Sequence, residues 1–142
     1  MITPRISVIA PIYGVERYIA KFAESLLGQT YKNIEFIFVN DGTRDSSIEI
    51  LEGVIEAKYG HLIDNIKIIH KVNGGLPAAR KTGLESATGD YIYHVDSDDW
   101  LEYDAVEKIV AHIEATGADV VYFGFAKEYK DRTRIKRQKV YS

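Results

Sequence analysis

The sequence predicts an α/β fold in which helices pack around a mostly parallel β-sheet. Short apolar runs alternate with amphipathic stretches along the chain, which is typical of repeated strand–helix units. The run Ile6–Pro11 is apolar almost throughout, as expected of a strand that is buried on both faces of a parallel sheet. The chain has 142 residues, of which 46% are hydrophobic, so we expect one compact domain with its own core.

Five strands and four helices are predicted in alternation. The predicted strands are Ile6–Pro11, Glu35–Asn40, Ile66–His70, Tyr91–Val95 and Asp119–Phe125. The predicted helices run from about Glu16 to Leu27, from Ser46 through Ile55, from Pro77 to a stop at Gly89, and from about Asp104 to Glu114.

Local signals set the predicted helix ends. Ser46 and Glu49 have the spacing of a capping box for the second helix. Pro77 suits the first turn of the third helix, and Gly89 suits its left-handed stop. Tyr18 is expected on the apolar face of the first helix.

The charge of the chain is unevenly distributed. Lys127–Lys139 contains seven basic and two acidic residues, whereas residues 1–126 contain 11 basic and 19 acidic ones. We therefore predict a domain over residues 1–126, followed over residues 127–142 by a basic tail without a regular pattern. Such a change late in the chain indicates a surface arm, or the start of a further part of a longer protein.

The composition and motifs exclude several classes of protein. The chain has no cysteine, so neither disulfides nor thiolate metal sites are expected. Its longest apolar stretch near the N-terminus, Ile6–Tyr13, is interrupted by Pro11 and is too short for a signal peptide or a membrane span. Neither the dinucleotide fingerprint nor the P-loop motif occurs. The basic tail lacks the fold and the interleaved aromatic residues expected of a nucleic-acid site.

Polar residues follow two of the predicted strands at the point where each strand ends. They are Asp41 after the second strand, and Asp96, Ser97, Asp98 and Asp99 after the fourth. In open α/β sheets, ligands bind beyond the carboxyl ends of the strands. We therefore expect these side chains to line one common rim, together with Pro11, Ile12 and Tyr13 after the first strand and Arg80 in the third helix.

Three carboxylates within four positions require an explanation, because like charges at about 4 Å repel by ~1 kcal/mol even in water. Asp96 and Asp98 are two residues apart, so both can face one cation, and oxygen ligands of this type suit Mg²⁺ or Mn²⁺. The alternative is a solvated acidic turn in which Asp99 caps the following helix. We expect Asp96 and Asp98 to bind a metal ion and Asp99 to act as a cap.

Asp41 and Arg80 each have two open interpretations. Asp41 precedes Gly42, a common turn pair, but its carboxylate could also accept a hydrogen bond from a nucleobase N–H. Arg80 is either a surface helix residue or a planar cation that binds phosphate.

The same residues resemble family 2 glycosyltransferases of the GT-A fold, a Rossmann-like three-layer sandwich. Four segments carry the resemblance in the order and at the spacing of that family, over about Ile6 to Phe125. They are ISVIAPIYGVERYI, ESLLGQTYKNIEFIFVNDGTRDSS, NGGLPAARKTGLESATGDYIYHVDSDDWL with its DxD motif, and ADVVYFGF. A small departure is Gly14, which stands where the family often has Asn.

The resemblance implies an inverting transfer of a sugar from a nucleotide-sugar donor, commonly a UDP-sugar, to an acceptor hydroxyl. A carbohydrate or glycolipid acceptor and a role in polysaccharide or glycoconjugate synthesis are expected. By the same resemblance, the metal is Mg²⁺ or Mn²⁺, with Asp98 as its principal ligand and Asp96 near the ribose and the metal. The other implied donor-binding residues are Pro11, Ile12, Tyr13 and Glu16 around the nucleoside, Asp41 at the base, Arg80 beside the diphosphate or nucleoside, and Ser97.

The resemblance also implies what this stretch lacks. The general base of the family lies in a second, acceptor-binding half, which we expect beyond residue 142, so the chain alone is expected to be catalytically weak or inactive. A cytoplasmic enzyme at the inner face of the membrane, peripherally associated, is expected. Two alternatives are a non-catalytic nucleotide-binding module and, less favoured, a phosphoacceptor signalling domain, which needs acidic residues at the end of the first strand.

Overall fold

A computed structural model describes residues 3–117, 125–128 and 133–136. The chain divides into two compact units, Met1–Asp104 and Ala105–Ser142. Among the described residues, no helix is both long enough and apolar enough to cross a membrane.

The first unit contains four parallel strands in the order β3-β2-β1-β4. The strands are β1 (Ile6–Ile12), β2 (Ile34–Asn40), β3 (Ile66–His70) and β4 (Tyr91–His94). The helices are α1 (Ile19–Leu27), α2 (Ser47–Lys58) and α3 (Leu76–Ser86), and a 3₁₀ helix covers Gly60–Asn65. The prediction of an α/β fold around a parallel sheet is confirmed.

The strand register brings the carboxyl ends of the strands to one edge. Ile12 at the end of β1 lies opposite Asn40 at the end of β2, and Asn40 lies opposite His70 at the end of β3. Val95 continues the ladder beyond β4 by donating its N–H to the carbonyl of Ile9 at 3.0 Å. The loops that follow these strands therefore begin close together.

Both faces of the central strands β1 and β2 are buried. Ile9, Ile37 and Val39 form an apolar cluster with Ala79 of α3. Residues of the opposite strand faces are also 4% exposed or less, among them Val8, Ala10, Phe36 and Phe38. Helices α1 and α2 pack against each other, and each buries one apolar face: Phe22 and Leu26 in α1, Ile48, Leu51 and Ile55 in α2.

The second unit begins with α4 (Ala105–Thr116), in which Val106, Val110 and Ile113 are buried. Strands β5 (Phe125–Glu128) and β6 (Thr133–Lys136) form an antiparallel pair in which Phe125 lies opposite Lys136. The predicted fifth strand, residues 119–125, lies outside the described residues except for its last position. Part of β5 and all of β6 therefore lie within residues 127–142, where the sequence shows no regular pattern, and the domain boundary at residue 126 stays a prediction.

Helix α1 begins at Ile19, three residues later than predicted. The N–H groups before it are used elsewhere: Gly14 donates to the hydroxyl of Thr43 at 2.9 Å, and Glu16 donates to Oδ2 of Asp45 at 3.2 Å. These bonds hold the segment as a loop. Tyr18, predicted on the apolar face, is consequently 47% exposed.

Two further helix signals were wrong. The side chain of Ser46 makes no capping bond, and its N–H donates instead to Oε2 of Glu16 at 3.1 Å, so the predicted capping box with Glu49 does not form. Gly89 does not have a positive φ, and α3 ends at Ser86 with an extended residue after it. Gly89 is needed for space instead, because an added Cβ would lie 2.5 Å from Oγ of Ser7.

Candidate active site

A cleft of about 570 Å³ lies at the edge where the parallel strands end. Six residues predicted for the site line it: Pro11, Tyr13, Asp41, Asp96, Ser97 and Asp98. Four lining residues were not predicted from the sequence: Val15, Asn73, Gly75 and Leu76. The cleft occupies the position at which open α/β sheets bind ligands.

Three predicted site residues lie outside the lining. The side chain of Ile12 is fully buried, since the residue is 0% exposed. Glu16 is exposed, and its carboxylate accepts from the Ser46 N–H. Arg80 forms an ion pair with Asp96, with 3.3 Å between Nη2 and Oδ1. The donor-binding roles of these three residues stay predictions.

The loop that carries Tyr13 is fastened to the loop after β2. Asp45 accepts hydrogen bonds from Glu16, from the hydroxyl of Thr43 at 2.7 Å, and from the hydroxyl of Ser47 at 2.6 Å. Burial alone would raise the pKa of Asp45, but these bonds outweigh it and lower the pKa to about 2. Tyr13 itself is 56% exposed, so its ring is available to a ligand in the cleft.

Asp41 fixes a polar wall of the cleft. Its carboxylate is buried and accepts from the backbone N–H groups of Gly74 at 2.9 Å and Gly75 at 3.0 Å, from Lys71 at 3.1 Å, and from Asn73 at 3.3 Å. Burial would raise its pKa, but the bonds from Gly74 and Lys71 lower it below the ordinary value. The charge also lies at the N-terminus of α3, where a helix favours an anion.

We expect Gly42→Ala to disturb the packing of Asn73 in this wall. Gly42 has a φ of +68°, and an added Cβ would lie 2.8 Å from the backbone N of Asn73. Backbone strain at Gly42 and displacement of Asn73 together should lower the free energy of unfolding by about 1–3 kcal/mol. The amides of Gly74 and Gly75, which follow Asn73, should exchange faster with solvent. Hydrogen exchange and chemical denaturation measure both effects.

Gly53→Ala is the matched control for this substitution. Gly53 lies in α2, and nothing is found within 4 Å of an added Cβ. Alanine there should stabilise the protein by up to ~1 kcal/mol. The close approach between Gly42 and Asn73 would be contradicted if Gly42→Ala had the stability of the wild type and the amides of Gly74 and Gly75 exchanged at the wild-type rate.

The three carboxylates after β4 lie close together, and two of them, Asp96 and Asp98, line the cleft. Oxygens of Asp96, Asp98 and Asp99 lie within 4.8 Å of one another, and all three residues are exposed. Helix α4 begins at Ala105, six positions after Asp99, and the expected capping role of Asp99 stays a prediction. Asp99 joins the cluster because its N–H donates to the carbonyl of Asp96 at 3.3 Å, which closes a turn.

Ser97 orients the acidic turn. It is buried, and its hydroxyl donates to the carbonyl of Pro11 at 2.7 Å. With the middle residue directed into the protein, Asp96 and Asp98 on either side of it are left at the cleft. Asp96 and Asp98 thus lie on the same side of the chain, as predicted from their spacing of two residues. Ser97 also lines the cleft.

The segment after the acidic turn is anchored on the end of α1, which the sequence did not indicate. Gln29 is 1% exposed, and its amide donates to the carbonyl of Glu102 at 2.7 Å. Leu101 donates its N–H to the hydroxyl of Ser25 at 3.0 Å, and Thr30 donates to the carbonyl of Tyr103 at 2.8 Å. These bonds restrict the acidic turn from its C-terminal side.

The donor set fits a hard divalent cation. Three carboxylates supply oxygen ligands of the kind that Mg²⁺ and Mn²⁺ prefer, and their exposure leaves room for further ligands from a substrate or water. Exposed acidic groups also occur without an ion. Asp96 and Asp98 line the same cleft as Asp41, and this position favours a metal site over a solvated turn.

Comparison with known proteins agrees with this geometry. Residues 7–141 match the family described as Glycosyl transferase family 2. The glycosyltransferase GlyA of Streptococcus pneumoniae serotype 4 is 41% identical over 128 residues, which cover 88% of this chain and 18% of GlyA. The uncharacterized glycosyltransferase EpsJ of Bacillus subtilis strain 168 is 42% identical over 129 residues, which cover 91% of this chain and 36% of EpsJ.

A solved structure gives the same result. S. aureus TarS 1-349 in complex with UDP superimposes with a TM-score of 0.77 at 29% identity, over 90% of this chain and 37% of that chain. The predicted GT-A fold is thereby confirmed. The chain spans less than two fifths of the length of each of these three proteins. Because the family match runs over nearly all of the sequence, the chain belongs to glycosyl transferase family 2.

Proposed function

We propose that this chain is the donor-binding part of a metal-dependent, inverting glycosyltransferase. The donor is a nucleotide-diphosphate sugar, most simply a UDP-sugar, and the acceptor is a hydroxyl of a carbohydrate or glycolipid. One observation supports this above all: a single cleft is lined by an exposed aromatic ring, a buried polar wall and two carboxylates of the acidic turn.

The nucleoside would lie between Tyr13 and the wall formed around Asp41. The exposed ring of Tyr13 offers a flat apolar surface, and Leu76, 45% exposed, also lines the cleft. Asn73, which Asp41 holds in place, supplies a polar group for the edge of a base, and direct contact between the base and Asp41 would require one of its present donors to be displaced. TarS, which shares this fold, has been solved with UDP and with UDP-GlcNAc.

The diphosphate would lie toward the acidic turn. Asp98 and Asp96 would hold the divalent ion, with Asp99 as a further ligand. When bound, the ion supplies Lewis-acid stabilisation of the negative charge that develops on the departing diphosphate. Ser97 keeps the two lining carboxylates in place through its bond to Pro11, so the charge that binds the ion is positioned before the donor arrives.

An inverting transfer needs a general base beside the acceptor hydroxyl. Its predicted position, beyond residue 142, stays a prediction, as do the role in polysaccharide synthesis and the association with the inner face of the membrane. The phosphoacceptor alternative is not favoured, because Pro11 and Tyr13 line the cleft at the end of β1, where that class needs carboxylates.

A thermal-shift screen tests the donor class. UDP, GDP, CDP and ADP are compared with their nucleosides, each with Mn²⁺ and with EDTA. A nucleoside diphosphate at a hundred times its Kd should add ~2.7 kcal/mol and raise Tm by roughly 5–10 °C. We expect UDP with Mn²⁺ to give the largest shift. If no diphosphate shifts Tm beyond its nucleoside or the metal alone, the proposed function is wrong.

A further inference from the structure

Arg80 is a basic residue that contacts the acidic turn. It lies in α3, and its Nη2 is 3.3 Å from Oδ1 of Asp96. The two side chains are 39% and 55% exposed. The Nε of Arg80 is buried and has no hydrogen-bond partner. The guanidinium thus reaches a predicted metal ligand while one of its own donors is unused.

This contact has two consequences for a metal ion. The guanidinium competes for an oxygen that the ion would use, and its positive charge repels the ion at short range. Exposed ion pairs are weak, however, and are easily exchanged. The pair therefore compensates the charge of Asp96 when no other cation is present, without locking the carboxylate.

A diphosphate changes this balance. It brings negative charge to the cleft, and a planar guanidinium with several donors binds phosphate oxygens well. Transfer of Arg80 from Asp96 to the diphosphate would release Oδ1 and also give a partner to the unused donor. The repulsion of the metal would fall at the same time, because the phosphate oxygens offset the charge of Arg80.

We propose that Arg80 makes binding of the divalent ion dependent on the nucleotide. Paired with Asp96, Arg80 weakens binding of the ion alone; transferred to the diphosphate, it favours the ion and the nucleotide together. This inference rests on the proposed function, since it concerns the same cleft. It assigns Arg80 as a positioning residue whose effect is a coupling between two ligands.

Calorimetric titration with Mn²⁺ tests the proposal on the 142-residue chain, with and without saturating UDP. Arg80→Met removes the charge and keeps much of the apolar stem. We expect it to bind Mn²⁺ alone ~3–10-fold more tightly than the wild type at low salt, an effect that shrinks as salt is added. The factor by which UDP tightens Mn²⁺ binding should fall at least ~3-fold.

Lys81→Met is the matched control, because it removes the same charge from the adjacent, exposed position of α3. It should behave as the wild type in both titrations. Arg80→Gln serves as a second variant if Arg80→Met does not fold, as judged by circular dichroism. Equal or weaker binding of Mn²⁺ alone by the folded Arg80 variant overturns the proposal.

The titrations also separate this inference from the proposed function. If the wild type does not bind UDP with Mn²⁺, the proposed function fails, while the comparison with Mn²⁺ alone still decides the effect of Arg80. If the wild type binds both ligands and the Arg80 variants show unchanged coupling, only the inference fails. Absence of Mn²⁺ binding in every variant overturns both.

Discussion

Asp98→Ala is expected to weaken binding of UDP in the presence of Mn²⁺ by at least about tenfold, the size of effect seen when metal ligation is disturbed. Affinity for UDP in EDTA should stay within about twofold of the wild type. The reason is that Asp98 lines the cleft, and that one of its carboxylate oxygens lies within 4.8 Å of an oxygen of Asp96 and an oxygen of Asp99. The three can therefore bind one ion. Calorimetry measures both affinities.

Glu102→Ala is the control for this substitution. Glu102 is an exposed carboxylate four positions along the chain and does not belong to the acidic cluster. Removing it subtracts the same charge, so a purely long-range effect would be similar in both variants. Unchanged Mn²⁺-dependent affinity in Asp98→Ala, or an equal loss in Glu102→Ala, would contradict a role for Asp98 in holding the ion.

Glu35→Ala should have the largest effect on stability, lowering the free energy of unfolding by about 2–5 kcal/mol. Glu35 is 2% exposed and accepts from the hydroxyl of Ser7 at 2.9 Å and from the N–H and hydroxyl of Thr88 at 2.7 and 2.6 Å. The guanidinium of Arg5 lies 3.5 Å away. Without the carboxylate, these donors lose their acceptor at a junction of β1, β2 and the segment before β4.

Urea denaturation of the variant and of the wild type measures this loss. Glu56→Ala, an exposed carboxylate in α2, is the control and should change stability by no more than about 0.5 kcal/mol. A loss no larger than that of the control would contradict the structural role of Glu35.

The contribution of Glu35 should depend on pH in a defined direction. Burial would raise its pKa, but the bonds from Thr88 and Ser7 outweigh burial and lower the pKa below its ordinary value of 4.5. The unfolded chain then binds a proton more readily than the folded protein. The stabilisation is therefore complete above pH 4.5 and is lost as the pH falls through the folded pKa. The difference in the free energy of unfolding between the wild type and Glu35→Ala should therefore become smaller as the pH is lowered.

Apolar patterning was sufficient to predict the sheet. The strand Ile66–His70 is found at the predicted bounds, and the other three strands of the first unit differ from prediction by one residue at an end. Burial of β1 and β2 on both faces leaves these strands with few polar residues, and β3 and β4 are short apolar or aromatic runs, so the limits of the strands are visible in the sequence. The common edge then followed from the rule for parallel strands, which placed Tyr13, Asp41 and Asp98 at one cleft.

The loops were less predictable, because their geometry depends on hydrogen bonds between distant residues. Asp41 meets Gly74 and Gly75 across more than 30 positions, and Glu16 meets Ser46 across 30. Local capping signals compete with such bonds. At Ser46 the capping box with Glu49 does not form, because the N–H of Ser46 donates to Glu16 instead. Gly14 is a partial exception: its φ of +65° suits Gly and also the Asn that is frequent in the family.

Paramagnetic broadening tests the central claim most directly. Amide resonances of the labelled chain are followed while a small amount of Mn²⁺ is added to the complex with UDP. We expect the strongest broadening at residues 96–99, weaker broadening at Tyr13, and least at Glu35, at the amino end of β2. Broadening centred away from residues 96–99, or unaffected by UDP, would contradict a nucleotide site completed by a metal ion at the acidic turn.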